Sequence, residues 1–179
     1  PRRPPGGLAA GGRPRPDKLR GLSLKDLDIL KKACRPDLCL VKADGARTRL
    51  FKAPGVHEPF VPAWTTHVMV VVNLHAIGLP LSEKYVHRPD RVADLTGLQL
   101  NDPLTISTIA QVVSHPSTYF RAIPSGTNVF LYLSCCVDKP QRAQAEAINN
   151  AIPANTFAGV FCGDINRSQA AITTLRESI

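Results

Sequence analysis

The chain has few aromatic residues and no long apolar run. Its 179 residues include one Trp, three Tyr and six Phe, and no aromatic residue precedes Phe51. No apolar stretch approaches the roughly 20 residues that a membrane-spanning helix needs. The first residues also lack the apolar segment of a secretory signal, so we expect neither feature. Few aromatic side chains are available to stack on bases, which argues against a cellular RNA-binding module, although that class stays open as an alternative.

The sequence also lacks the common motifs of catalysis. It contains no Walker-type phosphate loop, no dinucleotide-binding fingerprint and no G-x-S-x-G segment. The segment Cys162-Gly163-Asp164 could form a nucleophile turn with a histidine as base, but no surrounding signature supports it. We therefore predict that the protein is not an enzyme and that it uses no cofactor.

The five cysteines are an odd number, which fits free thiols in a reducing compartment better than a disulfide scaffold. Cys34 and Cys39, followed by His57 and His67, could be drawn as a zinc site. Their spacing is looser than that of structural zinc motifs, whose ligands come in close pairs. We predict no metal site, and the sequence leaves open whether Cys34 and Cys39 ever bind a metal ion.

The chain has an excess of positive charge, and this excess lies almost entirely at the N-terminal end. Residues 1–52 carry 14 Lys and Arg against 5 Asp and Glu, whereas residues 53–179 carry 8 against 9. The net charge is therefore +9 in the first part and −1 in the second. Such a separation is typical of a protein that binds a polyanion with one end.

Residues 1–22 are predicted to form a flexible basic arm. Proline and glycine are frequent there, and few apolar residues are available for burial. Guanidinium groups bind phosphate through two hydrogen bonds, so we expect the arm to bind RNA through phosphate contacts that are largely independent of base sequence. The predicted RNA-binding residues are the six cations of this arm: Arg2, Arg3, Arg13, Arg15, Lys18 and Arg20.

Residues 23–36 are predicted to form an amphipathic helix, capped by Ser23 with Asp26 three residues later. Residues 37–179 are predicted to form a β-rich domain. Apolar residues alternate along Thr65–Ala76 and Thr127–Val137, which is typical of strands with one buried face. Other predicted strands are Leu38–Ala43, Thr48–Lys52, Leu104–Val113, Thr118–Ile123 and Thr156–Gly163. Predicted helices are His87–Leu98, Pro140–Ile152 and Asn166–Ser178.

This layout resembles the coat proteins of small positive-strand RNA plant viruses, such as the bromovirus and alfalfa mosaic virus group and the satellite viruses. The resemblance is carried by the arm PRRPPGGLAAGGRPRP and by the segments TNVFLYLSCCVDKP and NTFAGVFCGDIN. It implies a mainly β jelly-roll sandwich with a disordered arm and short helical insertions. It also implies a capsid protein that self-assembles and packages RNA, located in the virion and the host cytoplasm.

Two alternatives stay open beside that resemblance. The helical segments near the C-terminus would also suit an α+β sheet. A matrix-type protein of a negative-strand RNA virus, bridging a membrane and a ribonucleoprotein, would have such a body and a basic N-terminus.

If the arm binds RNA, deleting residues 1–21 should weaken RNA binding strongly, because six phosphate-binding cations are removed. Binding by the intact chain should fall steeply with salt, since neutralised phosphates release counterions. Filter binding of both forms across a salt series measures this. Unchanged RNA binding by the shortened chain at moderate salt would show that the arm is not the binding element.

Overall fold

The computed structural model describes residues 21–165 and 172–177. The chain divides into two compact units between Lys42 and Ala43. The first unit contains helix α1, Leu24–Cys34. Its N-terminus is a capping box: the Ser23 hydroxyl accepts a hydrogen bond from the Asp26 N–H at 3.2 Å, and the Asp26 carboxylate accepts one from the Ser23 N–H at 3.0 Å. The six predicted RNA-binding cations lie outside the described residues, and the predicted domain boundaries stay predictions.

The described residues of the second unit form two β-sheets and three α-helices. In the larger sheet the strand order is β2-β4-β5-β6, with β2, β4 and β5 parallel and β6 antiparallel to β5. The smaller sheet pairs β1 with β3 in parallel. The strands are β1 Phe51–Lys52, β2 His67–Asn73, β3 Val86–His87, β4 Asn128–Ser134, β5 Gly159–Gly163 and β6 Ile172–Glu177. The helices are α2 Pro89–Thr96, α3 Ile106–Ser114 and α4 Lys139–Ala151.

The helices occupy the crossovers that parallel strands require. A parallel pair cannot be joined by a tight turn, so the chain must return to the start of the sheet between strands. Helices α2 and α3 lie between β2 and β4, and α4 lies between β4 and β5. Helix α3 packs against both α2 and α4. The core between helices and sheet contains Val70, Val72, Leu131, Leu133, Val160, Ile109, Val112 and Ile148.

Part of the opposite face of the larger sheet is exposed at strand β2. Met69 and Val71 alternate with the buried valines of β2 and are 54% and 58% exposed. On the same face, the His67 ring stacks on Phe130 with ring centroids 6.0 Å apart. The alternation predicted for Thr65–Ala76 is confirmed over β2, with Val70 and Val72 buried on the other side, whereas Leu74–Ala76 forms a 3₁₀ helix in place of the end of the predicted strand.

The favoured mainly β jelly roll is not the fold found here, and the α+β alternative fits better. A jelly roll is built from antiparallel strands, whereas three of the four strands in the larger sheet run parallel and are connected through helices. The structure is therefore mixed, with four helices and two sheets among the described residues.

Several local predictions were wrong. The segment predicted as strand Leu104–Val113 forms helix α3, because Thr105 and Thr108 make a capping box and the apolar residues then fall on one buried helical face. Thr118–Ile123 contains a 3₁₀ turn in place of a strand, and Leu38–Ala43 contains no strand. Of the predicted helix Asn166–Ser178, the described residues 172–177 form strand β6.

A pair of substitutions tests which sheet face stabilises the domain. Leu131→Ala should lower the free energy of unfolding by about 2–5 kcal/mol, because the side chain is fully buried and a cavity would remain. Val71→Ala, on the exposed face of the neighbouring strand, should cost less than about 1 kcal/mol. Urea denaturation measures both. Equal losses would contradict the assignment of faces.

Candidate functional site

The candidate site lies where strands β1 and β3 end. Lys52 and His87 are the last residues of these strands and pair with each other in register. Arg88 follows β3 directly and precedes α2 with a left-handed backbone, φ 65°. Because the carboxyl ends of parallel strands meet at one edge, their polar side chains converge there.

Four charged side chains form what we call the ion cluster: Asp44, Lys52, Glu58 and Arg88. The Lys52 side chain is only 6% exposed. Its ammonium contacts the Asp44 carboxylate, donates to Glu58 Oε2 at 2.8 Å and donates to the Gly45 carbonyl at 3.2 Å. An ammonium buried without partners would be costly, and these three acceptors match its three N–H donors.

Glu58 is shared between the two cations. Arg88 donates both ends of its guanidinium fork to the Glu58 carboxylate, at 2.7 and 3.0 Å. The Gly55 N–H donates to the same carboxylate at 3.2 Å. The Arg88 hydrogen bonds, together with Lys52 and Gly55, hold the pKa of Glu58 far below its ordinary value of 4.5, although burial opposes them. Glu58 is therefore a carboxylate throughout the neutral range.

Two neighbours fix the geometry of the cluster. A Cβ atom at Gly55 would lie 3.1 Å from the Arg88 guanidinium carbon, so a larger residue would push the guanidinium by a few tenths of an ångström. The Tyr119 hydroxyl donates to the Lys52 carbonyl at 3.2 Å. Burial raises the pKa of Tyr119, and the carboxylates of Asp44 and Glu58 raise it further, so the phenol stays a donor.

A strained turn carries an exposed cation next to the cluster. Arg47 and Thr48 both have left-handed backbones, with φ of 50° and 67°. This conformation is unfavourable for a β-branched residue, and such strain is found most often at functional sites. Arg49 donates to the Arg47 carbonyl at 2.8 Å and to the Glu83 carbonyl at 2.9 Å, which holds the turn. The Arg47 guanidinium is exposed and makes no hydrogen bond or ion pair with the described residues.

The pKa of His87 reflects the electrostatic potential at this edge. Its imidazole is half-buried, and burial lowers its pKa below the ordinary value of 6.5. The positive charges of Arg88, Lys52 and Arg47 lower the pKa further, while Glu58 opposes them. His87 is therefore neutral at pH 7 and lies in a positive field. A neutral imidazole offers one donor and one acceptor beside the two arginines.

The cysteines considered as metal ligands or as a nucleophile do not form such a site in the described part of the chain. Cys34 and Cys39 are exposed in the first unit, and no group of three or more His, Cys, Asp or Glu in the described residues could hold a metal ion. Cys162 is buried, and burial raises the pKa of its thiol to about 11. A protonated thiol is a poor nucleophile, which argues against the proposed nucleophile turn. Across 21–165 and 172–177, every helix is too short or too polar to span a bilayer.

Sequence reasoning missed the ion cluster. One signal was available: Lys52 ends an otherwise apolar strand, where a charge needs a partner. Its partners lie 8 and 6 residues away along the chain, and Arg88 is 30 residues from Glu58. Only the pairing of β1 with β3 brings Arg88 to the same edge as Lys52.

Two comparisons with known proteins give matches. Residues 3–90 match the family model described as YqeC protein. The chain is similar to YqeC. It is 35% identical over 153 residues to the Uncharacterized protein YqeC of Escherichia coli (strain K12), an alignment that takes in 86% of this chain and 60% of the relative. The chain thus spans less than two thirds of the relative's length, and no solved structure matches it.

The similarity to YqeC overturns the viral hypotheses. The relative is a bacterial protein, so the plant-virus coat protein, its capsid function and its location in a virion were wrong predictions. The matrix-protein alternative was wrong for the same reason. The resemblance depended on charge layout and alternating strands, which bacterial and viral proteins share. The matched residues 3–90 include all four members of the ion cluster.

Replacing Glu58 should test what the cluster contributes to stability. Because the pKa of Glu58 is lowered in the folded state, its stabilisation is present at neutral pH and is lost as the pH falls below its ordinary value of 4.5. Glu58→Gln should cost about 3 kcal/mol at pH 7, since Lys52 and Arg88 lose a shared partner. It should also flatten the fall in stability between about pH 5 and pH 2.

Glu146→Gln is the matched control for that experiment. Glu146 pairs with Arg142 at 3.1 Å, but both side chains are about half exposed, so the loss should stay below about 1 kcal/mol. Urea titrations at several pH values measure both variants. A Glu58→Gln protein with the stability and acid sensitivity of the parent would show that the cluster is not a stabilising unit.

Proposed function

We propose that the domain formed by residues 43–177 binds a small ligand that carries a phosphate group, at the edge where β1 and β3 end. The observation that carries this proposal is the exposed Arg47 guanidinium on a strained turn, beside the positive field that His87 experiences. Guanidinium groups bind phosphate oxygens through paired hydrogen bonds and are more weakly hydrated than an ammonium.

The charges of the site favour an anionic ligand. Lys52 and Arg88 are balanced by Asp44 and Glu58, so the ion cluster itself is neutral. Arg47 therefore adds an uncompensated positive charge at this edge. His87, neutral at pH 7, can donate one further hydrogen bond to an oxygen. The similarity to YqeC supports this location, because the matched residues 3–90 contain the whole cluster and the turn.

We further propose that this site binds its ligand without catalysing a reaction on it. A general acid or base needs a pKa near the working pH. The low pKa of Glu58 keeps it ionised, and the Tyr119 phenol, whose pKa is raised, stays protonated. Lys52 is enclosed by its three acceptors and cannot reach a substrate without breaking them.

Binding of RNA by the arm is a separate proposal. It depends on the excess of 14 basic over 5 acidic residues in positions 1–52, and the six cations concerned lie outside the described residues. Self-association stays a prediction as well. The exposed patch around Met69 and Val71 is the surface on which it would be sought.

Arg47→Ala should weaken phosphate binding about ten- to a hundredfold, because one charge-assisted contact is worth about 1.5–3 kcal/mol. The melting temperature should not fall, since Arg47 is exposed and its side chain is unpartnered within the described chain. Isothermal titration with inorganic phosphate and with adenosine monophosphate, in low salt, measures this.

Lys139→Ala is the control. Lys139 is an exposed cation at the start of α4, a helix that packs on α3, β5 and β6. Its removal should leave binding unchanged. Equal weakening by both substitutions would mean that net charge alone accounts for the effect. The proposal would be overturned if the parent chain bound neither inorganic phosphate nor adenosine monophosphate.

A further inference from the structure

A row of stacked rings crosses the side of the larger sheet that faces away from the helices. The His67 ring lies nearly parallel to the Phe130 ring, with centroids 6.0 Å apart, and the Phe161 ring on the next strand is 6.0 Å from Phe130. Gly159 lies between the last two rings, since a Cβ atom there would be 3.1 Å from each. The row thus runs from β2 through β4 to β5.

Apolar side chains adjoin this row, and we call the surface formed by the three rings with Met69, Val71 and Ile172 the open face. These last three side chains are each more than half exposed. Sheets built mainly from parallel strands are normally covered on both sides, and exposed apolar patches on soluble proteins mark interaction sites. The open face is therefore a candidate docking surface.

Ile172 belongs to the open face although β6 runs antiparallel to its neighbour. The next residue, Thr173, points to the helix side, because Arg142 of α4 donates to its hydroxyl at 3.0 Å. Successive side chains of a strand point to opposite sides, so Ile172 and Thr174 lie on the side of the rings. The open face therefore extends across all four strands.

This side of the sheet is almost free of charge, whereas the whole chain has a net charge of +8. Along the four described strands it carries His67, on the edge strand β2, and Glu177, on the edge strand β6, but no Lys or Arg. Glu177 pairs with Gly159 and so points to the side of the rings. Two positively charged copies repel each other least through such a surface. A nucleic acid would find no Lys or Arg for its phosphates along these strands.

We propose that the open face binds the open face of a second copy of this chain, about a two-fold axis that runs along the strands. The strand order is β2-β4-β5-β6, so this axis places β2 of one copy over β6 of the other and β4 over β5. Two sheets packed face to face keep their strand directions within about 30° of each other, which this axis satisfies.

Charge complementarity favours this axis. Glu177 lies in the same row of the sheet as Met69, two residues from His67, and both charged corners are at the end where β2 begins. The axis therefore brings His67 of each copy close to Glu177 of the other, so that the pair forms twice. The His67 Nδ1 atom is 2.9 Å from the Thr66 hydroxyl, which leaves Nε2–H to donate to the carboxylate.

The area of the sheet sets the strength of this contact. Four strands about 4.8 Å apart, with about seven residues of about 3.3 Å each, present roughly 450 Å² per copy. Stable interfaces bury about 800 Å² per partner, so we expect a weak dimer with a dissociation constant of about 10–100 µM. The inference does not depend on the phosphate-binding proposal, and it gives the predicted self-association a defined surface and geometry.

The test uses the full chain at concentrations between about 5 µM and 1 mM, in about 0.15 M salt. Sedimentation equilibrium should show monomers at the lower end of this range and dimers at the upper end. Met69 is the single methionine of the chain, so a sample labelled with methyl-¹³C methionine gives one resonance from the open face. Its chemical shift should change with protein concentration along the same curve as the mass.

Val71→Lys should weaken dimerisation at least tenfold, because it places two like charges in an apolar contact. The Val71 side chain is exposed, so this variant is expected to fold, and its melting temperature checks that it does. Leu100→Lys is the matched control. Leu100 is about equally exposed but lies in a turn outside the larger sheet, so it should leave the dissociation constant unchanged.

The orientation of the two copies is tested by mixing charge variants. His67→Glu and Glu177→Lys should each weaken self-association, because like charges then meet at both corners. An equimolar mixture should dimerise more strongly than either variant alone, since each mixed dimer contains two opposite-charge pairs. A mixture no stronger than the single variants would overturn the proposed axis.

Two other results would overturn the proposal as a whole. One is a parent chain that stays monomeric at about 1 mM, or a dimer that Val71→Lys leaves intact. The other is a Met69 resonance that does not respond to protein concentration but shifts when a single-stranded oligonucleotide is added, which would assign the open face to a nucleic acid.

Discussion

The arrangement around the smaller sheet depends on one constraint, which is the burial of the Lys52 ammonium. A charge that is 6% exposed must be matched by acceptors, and it draws in Asp44, Glu58 and the Gly45 carbonyl. Glu58 also accepts both hydrogen bonds of the Arg88 guanidinium, which passes close to Gly55. One buried cation thus links the turn after residue 43, strand β1 and the start of α2.

The larger sheet shows a different constraint. Parallel strands need crossovers, and the helices that provide them cover one face of β2, β4 and β5. All-parallel sheets are normally covered on both faces, yet in the described residues Met69 and Val71 remain exposed. The sheet therefore combines a well-packed core with an apolar surface on the other side.

Local sequence predicted the central strands, their buried faces and helix α4, because alternation in β2 and β4 and the Pro140-to-Pro153 segment are strong local signals. It was wrong for α3, where Ile, Thr and Val have strand propensity but Thr105 caps a helix that packs on α2 and α4. It also could not distinguish parallel from antiparallel pairing. The jelly-roll prediction assumed antiparallel pairing. The charge of the arm, added to that fold, then suggested a viral protein.

By itself, the sequence determined the polarised charge, the alternating strands and the capping box of α1, since each depends on residues close together in the chain. The tertiary structure alone decided the strand order and the ion cluster. Arg88 reaches Glu58 across 30 residues, and the Tyr119 hydroxyl reaches the Lys52 carbonyl across 67. Such pairs are set by how strands stack and cross over, because the hydrophobic burial that fixes strand order acts between segments and leaves no local pattern in the sequence.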